Sequence, residues 1–252
     1  MADDTQYLAL DIYRGDSTGG QAVRYSAPYT PGMVVLDAVR YVQEHDAPDL
    51  AVRWNCKAAH CGSCSAEING YPKLLCKTRV DDSLGKPITI RPMKAFPLIK
   101  DLVTDVSWNY EVMKKIPPFK PKTHAPFVMY QRDADRVQEF HRCIECFLCQ
   151  DTCHVLREHQ AFGQYFGPRF MAKIAEWEMH PMDEADRRDL LHDAGGIALC
   201  NVNKCCTEVC PQGIRITDNA IIPLKERVAD KYNNSLRRWF LKLTSKVAER
   251  SE

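Results

Sequence analysis

Cysteine is the residue type of this chain most able to do chemistry, with 12 copies among 252 residues. The first group consists of Cys56, Cys61 and Cys64, with Cys76 farther along the chain. This spacing is typical of a loop that gives three thiolates to a [2Fe–2S] cluster while a neighbouring strand gives the fourth. A zinc site or four buried thiols is the alternative, but zinc loops usually pair their cysteines in two separate C-x2–4-C units.

Two later groups have the spacing of the two halves of a two-cluster ferredoxin, in which the fourth cysteine of each run ligates the other cluster. This crossing predicts a [4Fe–4S] cluster with four ligands, Cys143, Cys146, Cys149 and Cys210. It leaves three thiolates for the other cluster, from Cys153, Cys200 and Cys206. Asn203 stands where a fourth thiolate is expected. Because an amide is a poor iron ligand beside thiolates, we predict a [3Fe–4S] cluster there.

Cys205 leaves two interpretations of this third site open. It lies two positions from the expected corner and next to Cys206. One interpretation is a packed free thiol, since cysteine is often simply buried. The other is a fourth ligand that completes a second [4Fe–4S] cluster. The offset aims its side chain differently from that of residue 203, which favours the free thiol.

The composition argues for metal or redox use of the cysteines. The chain has 34 basic and 33 acidic residues, a net charge of +1, so its overall charge does not favour nucleic acid as a partner. Mean hydropathy is -0.38, and no run approaches the roughly 18 apolar residues of a membrane span. The first residues, MADDTQYLALDIY, lack the basic and apolar regions of a secretory signal. Without such a signal, a disulfide framework is disfavoured.

The elements that must position the cysteines differ between the two halves. Alternating apolar residues predict strands in the first half, and apolar residues at helical spacing predict a helix over 33–45. Asn69-Gly70 is a strong hairpin signal between two short strands. The second half shows helix-compatible composition without strand alternation. The predicted strands are 7–14, 22–26, 65–68, 71–75 and 88–90, and the later helices are 136–141, 167–178, 184–193 and 219–229.

The two halves are separated by residues 116–126, which hold four prolines. Proline neither continues a helix nor donates to a sheet ladder, so we predict a stiff extended linker. The last stretch, 224–252, has eight basic and four acidic residues with apolar residues among them. It is either a solvated helix packed on its own domain or a basic amphipathic helix that contacts a membrane surface or an anchor subunit.

These motifs and their order resemble the iron–sulfur subunit of bacterial succinate dehydrogenase or fumarate reductase, the respiratory complex II family. The resemblance rests on Cys56-Lys-Ala-Ala-His-Cys61-Gly-Ser-Cys64 with Cys76, and on the two later runs ending in Cys210-Pro211. It implies an α+β chain, with a β-grasp [2Fe–2S] ferredoxin-like domain over 1–115 and the linker over 116–126. An all-α helical ferredoxin domain over 127–252 would then hold the [4Fe–4S] and [3Fe–4S] clusters and end in the basic amphipathic helix.

The resemblance also implies a function. The chain would be the electron-transfer subunit of a succinate:quinone oxidoreductase of the respiratory chain and tricarboxylic acid cycle. It would relay electrons from an FAD-containing flavoprotein subunit to a quinone-reducing membrane anchor, peripherally at the cytoplasmic face of the plasma membrane. No G-x-G-x-x-G motif opens a helix and no P-loop occurs, so we expect no catalytic residue or substrate site in this chain. Two alternatives are a subunit serving a different flavoprotein, such as a heterodisulfide-reductase-like complex, and a zinc-stabilised binding module.

Overall fold

A computed structural model describes residues 6–233 as a mixed sheet with one packed helix, followed by a helical unit. This architecture confirms the predicted α+β class. The strands are β1 (Tyr7–Asp16), β2 (Gly19–Pro28), β3 (Ser65–Ile68), β4 (Tyr71–Leu74), β5 (Ile88–Arg91), β6 (Leu98–Lys100) and β7 (Val103–Thr104). The helices are α1 (Val35–His45), α2 (Ser107–Lys115), α3 (Gln131–Gln138), α4 (Leu148–Asp151), α5 (His154–Arg157), α6 (Pro168–Glu178), α7 (Arg188–His192), α8 (Cys205–Glu208) and α9 (Ile222–Asn233).

The sheet is organised around β1. This strand pairs antiparallel with β2 along its whole length and parallel with β5, and the order across the sheet is β4-β3-β5-β1-β6-β7. Leu8, Leu10 and Ile12 alternate along β1 and are buried, as the period-2 pattern predicts. Helix α1 buries its apolar residues in the same core, so the first half forms one packed unit.

The hairpin between β3 and β4 forms at the predicted dipeptide. Asn69 and Gly70 have φ angles of 52° and 80°, the left-handed pair of a type I′ turn. The side-chain oxygen of Asn69 accepts a hydrogen bond from the backbone N–H of Thr89 at 2.9 Å. The turn is thereby tied to β5, and it holds the strand that follows Cys64 in register.

Three elements of the first half were not predicted: β6, β7 and α2. The two strands are three and two residues long, too short to show an alternating pattern. Val112 on helix α2 and Ile116, the residue just after the helix, are buried among the helices of the second unit. The packing of α2 therefore joins this helix to the helical unit, while the domain boundary after residue 115 stays a prediction.

The helical unit is built around α6. Phe170, Met171 and Ile174 are buried on this helix, which packs against a π-helical segment, Ile216–Ile221, that leads into α9. The observed helices overlap all four predicted ones. The region predicted over 136–141 begins earlier, at Gln131, and ends in a 3-10 turn, whereas the one predicted over 184–193 is limited to Arg188–His192.

A fully buried arginine pins the proline-rich segment to the helical unit. Arg187 donates from Nε to the carbonyl oxygen of Pro117 at 2.8 Å and from Nη2 to that of Pro118 at 2.7 Å. Its Nη1 forms a 2.8 Å ion pair with Asp183, which is also buried. Asp183 in turn accepts the backbone N–H of Lys120 at 3.1 Å. The proline-rich segment therefore lies against the helical unit, and its role as a stiff extended linker between domains stays a prediction.

A buried polar cluster joins the sheet to the helical unit. Glu67 on β3 pairs with Arg157 on α5, and the Nη1 atom of Arg157 also lies 3.9 Å from the carboxylate of Asp151. Asp151 accepts the backbone N–H of Ala95 at 2.9 Å. Burial raises the pKa of Asp151 to about 7, against the opposing hydrogen bond from Ala95. The two units are thus held by charged groups as well as by apolar packing.

The structure describes only the beginning of the basic C-terminal stretch. Leu224 and Val228 on α9 are buried in the helical core, so this part packs on its own unit. Residues 234–252, which carry most of the predicted basic amphipathic helix, lie outside the described residues. Within 6–233, no helix has the length and apolar character to cross a membrane.

We expect Arg187→Leu to lower the free energy of unfolding by about 3–5 kcal/mol, because it leaves buried Asp183 without its cation. It also leaves the carbonyls of Pro117 and Pro118 unpaired. Thermal unfolding and hydrogen exchange of the linker amides measure the effect, and faster exchange at Lys120 is the local signature. The matched control is Arg188→Leu, which removes a surface ion pair with Asp186 and should cost less than about 1 kcal/mol. Equal losses in the two variants would contradict the anchoring role.

Candidate iron–sulfur sites

The first cage consists of the sulfur atoms of Cys56, Cys61, Cys64 and Cys76. Backbone N–H groups of the loop point at these sulfurs. The N–H groups of Ala58 and His60 lie 3.4 and 3.3 Å from the sulfur of Cys56, and the N–H of Cys76 lies 3.5 Å from that of Cys64. Lys57 and Ala59 take the left-handed conformation with φ of 56° and 58°, which helps to turn successive N–H groups inward. Such a loop stabilises negative charge on sulfur.

The thiols of the first cage have different acidities. Burial opposes ionisation of Cys61, but hydrogen bonds from Ser63 and Cys56 prevail and lower the pKa of Cys61 to about 6. Burial raises the pKa of Cys64 to about 12. Because metal ligation requires thiolates, loading of this cage must release protons from its buried members.

The second cage consists of the sulfur atoms of Cys143, Cys146, Cys149 and Cys210. All four residues line one cavity, so the structure brings Cys210 to the first run and not only to its own. Burial raises the pKa of Cys146 to about 12 and that of Cys149 well above its ordinary value. The backbone N–H of Ile214 lies 3.4 Å from the sulfur of Cys210. The structure thus brings together the four cysteines assigned to the second site, and their role as iron ligands stays a prediction.

The third cage consists of the sulfur atoms of Cys153, Cys200 and Cys206, with Cys205 beside it. Burial raises the pKa of Cys153 to about 11, and the neighbouring thiols of Cys205 and Cys200 contribute in the same direction. Burial likewise raises the pKa of Cys206 to about 12, with Cys205, Cys200 and Cys153 adding to the effect. Cys153 thus lies near the thiols of the last run, and its role as an iron ligand stays a prediction.

The two runs have the same backbone conformation around their turns. Glu145 and Phe147 have φ of 54° and 60°, and Val202 and Lys204, which follow Cys200 at the same intervals as the first pair follows Cys143, have φ of 62° and 65°. In each run a short helix follows, α4 or α8. By this correspondence Asn203 occupies the position of Cys146, Cys206 that of Cys149, and Cys205 that of Leu148.

Asn203 is engaged with its surroundings. Its Nδ2 atom lies 2.9 Å from Nδ1 of His154 and donates to that ring nitrogen. Its Oδ1 atom accepts the backbone N–H of Cys205 at 3.4 Å. Cys205 is half-buried, and the backbone N–H of His154 is hydrogen-bonded to its sulfur. Asn203 and Cys205, the two residues considered for the fourth ligand position, therefore both contact His154, which follows Cys153.

The first and second cages touch through two residues of the first loop. A Cβ atom on Gly62 would lie 2.7 Å from Cα of Cys146 and 2.8 Å from the carbonyl oxygen of Ile144, so only glycine permits this approach. The hydroxyl of Ser65 lies 2.9 Å from the carbonyl oxygen of Cys146 and 3.0 Å from that of Gly62. Gln212 adds a 3.0 Å hydrogen bond to the carbonyl of Ala59.

Three residues near the cages were missed by the sequence analysis. The hydroxyl of Thr217, on the π-helical segment, lies 3.2 Å from the sulfur of Cys206. The hydroxyl of Tyr165 is buried against the third cage, where the thiol of Cys200 is its hydrogen-bonding neighbour. The Nε atom of Arg169 is buried beside the second cage and has no hydrogen-bond partner among the described residues. Burial, followed by the nearby thiols, raises the pKa of Tyr165 well above its usual value. No local pattern signals these residues, because their place depends on how α6 packs.

The donor sets suit clusters. Every cage consists of sulfur atoms with N–H or O–H groups at hydrogen-bond distance from them, and the unpartnered Nε atom of Arg169 is buried beside the second cage. Within residues 6–233, no set of three or more His, Cys, Asp or Glu side chains has the geometry for a single metal ion.

Comparison with known proteins gives consistent matches. Residues 9–111 match the family described as a 2Fe-2S iron-sulfur cluster binding domain, and residues 139–214 match the 4Fe-4S dicluster domain family. The chain is 33% identical over 201 residues to the fumarate reductase iron-sulfur subunit of Mycobacterium tuberculosis, covering 75% of this chain and 79% of that protein. It is 29% identical over 208 residues to the succinate dehydrogenase iron-sulfur subunit of Bacillus subtilis, covering 77% and 81%.

A solved structure gives a further match. A chain of the Mycobacterium smegmatis Sdh1 complex in the apo form superposes with a TM-score of 0.88 at 50% sequence identity. The match covers 91% of this chain and 98% of that one. The likeness therefore extends over both the sheet and the helical unit.

We expect Gly62→Ala to separate the first and second cages, because the new methyl group meets the backbone of Cys146. Gly70→Ala is the matched control: Gly70 also has positive φ, at 80°, but a Cβ there meets nothing within 4 Å. Both variants carry the left-handed strain of about 1–2 kcal/mol, and only Gly62→Ala adds an overpacking cost of about 1–3 kcal/mol. Thermal unfolding and the magnetic coupling between the two reduced centres measure the difference. Identical behaviour of the two variants would contradict the contact.

Proposed function

This chain belongs to the iron–sulfur subunits of succinate dehydrogenases and fumarate reductases, and we propose that it relays electrons from an FAD-containing flavoprotein subunit to a quinone-reducing membrane anchor. The observation that carries the proposal is the row of three sulfur cages. The first cage touches the second through Gly62 and Cys146, and in the second, Cys149 lies near Cys206 of the third. A row of this kind suits a relay.

The proposal assigns every cysteine of the cages as an iron ligand. The first cage holds a [2Fe–2S] cluster and the second a [4Fe–4S] cluster, and the matched families support these two cluster types. The third cage holds a [3Fe–4S] cluster. Asn203 supports this assignment because its amide stands in the backbone position of Cys146 and is hydrogen-bonded to His154. Cys205 is then a neighbouring free thiol.

The same proposal divides the chain at the linker. It assigns 1–115 to the β-grasp domain, 116–126 to the linker and 127–252 to the helical ferredoxin domain. The family matches over 9–111 and 139–214 support the two domains, because each lies within one of them. The burial of α2 in the helical core indicates that this helix connects them.

The residues of the chain support the relay by holding charge and excluding water. When bound, each cluster takes up and gives up one electron at a time. The N–H groups of Ala58, His60 and Ile214 stabilise the negative sulfurs that face them. Phe147 and Leu148 are buried at the second cage and keep water from it. None of these groups acts on a carbon substrate, so succinate or fumarate chemistry belongs to the flavoprotein subunit.

The proposal also gives the subunit its place in the assembly. The half-exposed Cys56 and Cys61 are the cage members nearest to solvent at the first site, where a flavoprotein could deliver electrons. At the other end of the row, Asn201, Asn203 and Lys204 are exposed beside the third cage, which suits the membrane anchor. The complex is attached to the cytoplasmic face of the plasma membrane, and this chain is its peripheral part.

The crossed ligands provide the main test. We expect Cys210→Ser to abolish the reduced [4Fe–4S] signal although residue 210 belongs to the last run. Cys153→Ser should abolish the oxidised [3Fe–4S] signal although residue 153 belongs to the earlier run. Electron paramagnetic resonance (EPR) of the purified complex measures both, together with iron analysis, which should give about nine iron atoms per wild-type chain. If each substitution removed the cluster of its own run, the ligand assignment would be wrong.

The third cluster has its own test. We expect Asn203→Cys to convert it towards [4Fe–4S] and to lower its reduction potential, since cluster type sets the potential. Cys205→Ser is the matched variant, and it should leave the oxidised [3Fe–4S] EPR signal unchanged. A wild-type protein with four irons at this site, reduced to three by Cys205→Ser, would identify Cys205 as the fourth ligand instead.

A further inference from the structure

Arg169 is a buried cation in the wall of the second cage. It is the second residue of α6 and is only 5% exposed. It lines the same cavity as the four sulfurs of the second cage. Among the described residues, Arg187 is the other arginine buried to this degree. Its guanidinium holds the linker carbonyls, which explains why Arg187 is buried. Arg169 has no comparable set of carbonyl partners.

The guanidinium of Arg169 is only partly satisfied by the protein. Its Nη2 atom forms a 2.6 Å ion pair with Glu145, whereas its Nε atom has no hydrogen-bond partner among the described residues. A buried donor without an acceptor destabilises the folded protein, and a charged donor does so more strongly than a neutral one. An acceptor at the cage removes this destabilisation, and the acceptors that the cage offers are thiolate and sulfide sulfur.

We propose that Arg169 sets the reduction potential of the second cluster by presenting a buried positive charge and one N–H group to it. This inference rests on the proposed assignment of the second cage to a [4Fe–4S] cluster. The reduced form of such a site carries one more negative charge than the oxidised form. A nearby cation in a poorly solvated wall therefore stabilises the reduced form more and raises the potential.

Glu145 opposes this effect without cancelling it. Its side chain is 48% exposed, so water and salt screen the carboxylate far more than they screen the buried guanidinium. The pair thus acts on the second cage as a net positive charge. Removal of the Arg169 charge should therefore lower the reduction potential of the second cluster, and removal of the Glu145 charge should raise it. A loss of packing alone does not give shifts of opposite sign.

The experiment is a redox titration of the assembled complex, followed by EPR of all three centres. We expect Arg169→Gln to shift the second centre towards its oxidised form by at least tenfold at a fixed ambient potential, which is a fall of 59 mV for one electron. Glu145→Gln should shift it in the opposite direction. Lys173→Gln is the control: it removes a positive charge from the same helix, at a residue that pairs with Glu176 and lies outside the cavity. It should leave the ratio of oxidised to reduced second centre within twofold of the wild-type ratio.

The outcomes separate this inference from the proposed function. A wild-type complex with no reduced [4Fe–4S] signal overturns the cluster assignment itself. A wild-type signal with an unchanged potential in Arg169→Gln overturns only the role of Arg169. Equal shifts of all three centres, or an equal shift in Lys173→Gln, overturn it as well. If Arg169→Gln fails to assemble, Arg169→Lys decides, because it keeps the positive charge and removes the Nε–H group: a lowered potential of the second centre supports the inference and an unchanged one overturns it.

Discussion

The close approach of two backbones at Gly62 and Cys146 is the contact on which the relay depends. Electron transfer through protein weakens steeply with distance, so the first and second cages are useful only if they are held together. The absence of a side chain at Gly62 makes this approach sterically possible, and the hydroxyl of Ser65 donates a hydrogen bond to the carbonyl oxygen of Cys146. The remaining contacts between the two units keep this small area closed.

Those remaining contacts are of two kinds: apolar packing of Phe147 and Leu148 against the core of the sheet, and a set of charged side chains. Glu67, Arg157 and Asp151 form a buried charged cluster between β3 and the short helices of the second run. A buried ion pair is a weak source of stability compared with apolar packing, but its geometry is demanding. This charged cluster lies beside segments of the chain that contain cage cysteines. We infer that it fixes the orientation of the sheet relative to the helical unit.

Much of the site could be predicted from the sequence because ligand spacing is a local property. The Asn69-Gly70 turn and the alternation along β1 are equally local, and both formed as predicted. Helix α2 was missed since its buried side chain Val112, and that of Ile116 just after it, pack against a unit that lies beyond the linker. Arg169 and Tyr165 could not be found for a similar reason: their polar atoms reach the cages only after α6 has packed. The left-handed turns at Glu145 and Val202 carry no glycine and leave no signal in the sequence.

The crossed placement of Cys153 and Cys210 has a consequence for biosynthesis. A nascent chain that has left the ribosome only as far as residue 205 has three of the four sulfurs of the second cage and two of the three of the third. The third cage gains its last sulfur at Cys206, and the second must wait for Cys210. With the proposed ligand assignment, iron is fully enclosed only after nearly the whole helical unit has been synthesised, which makes maturation of this unit a late, concerted event.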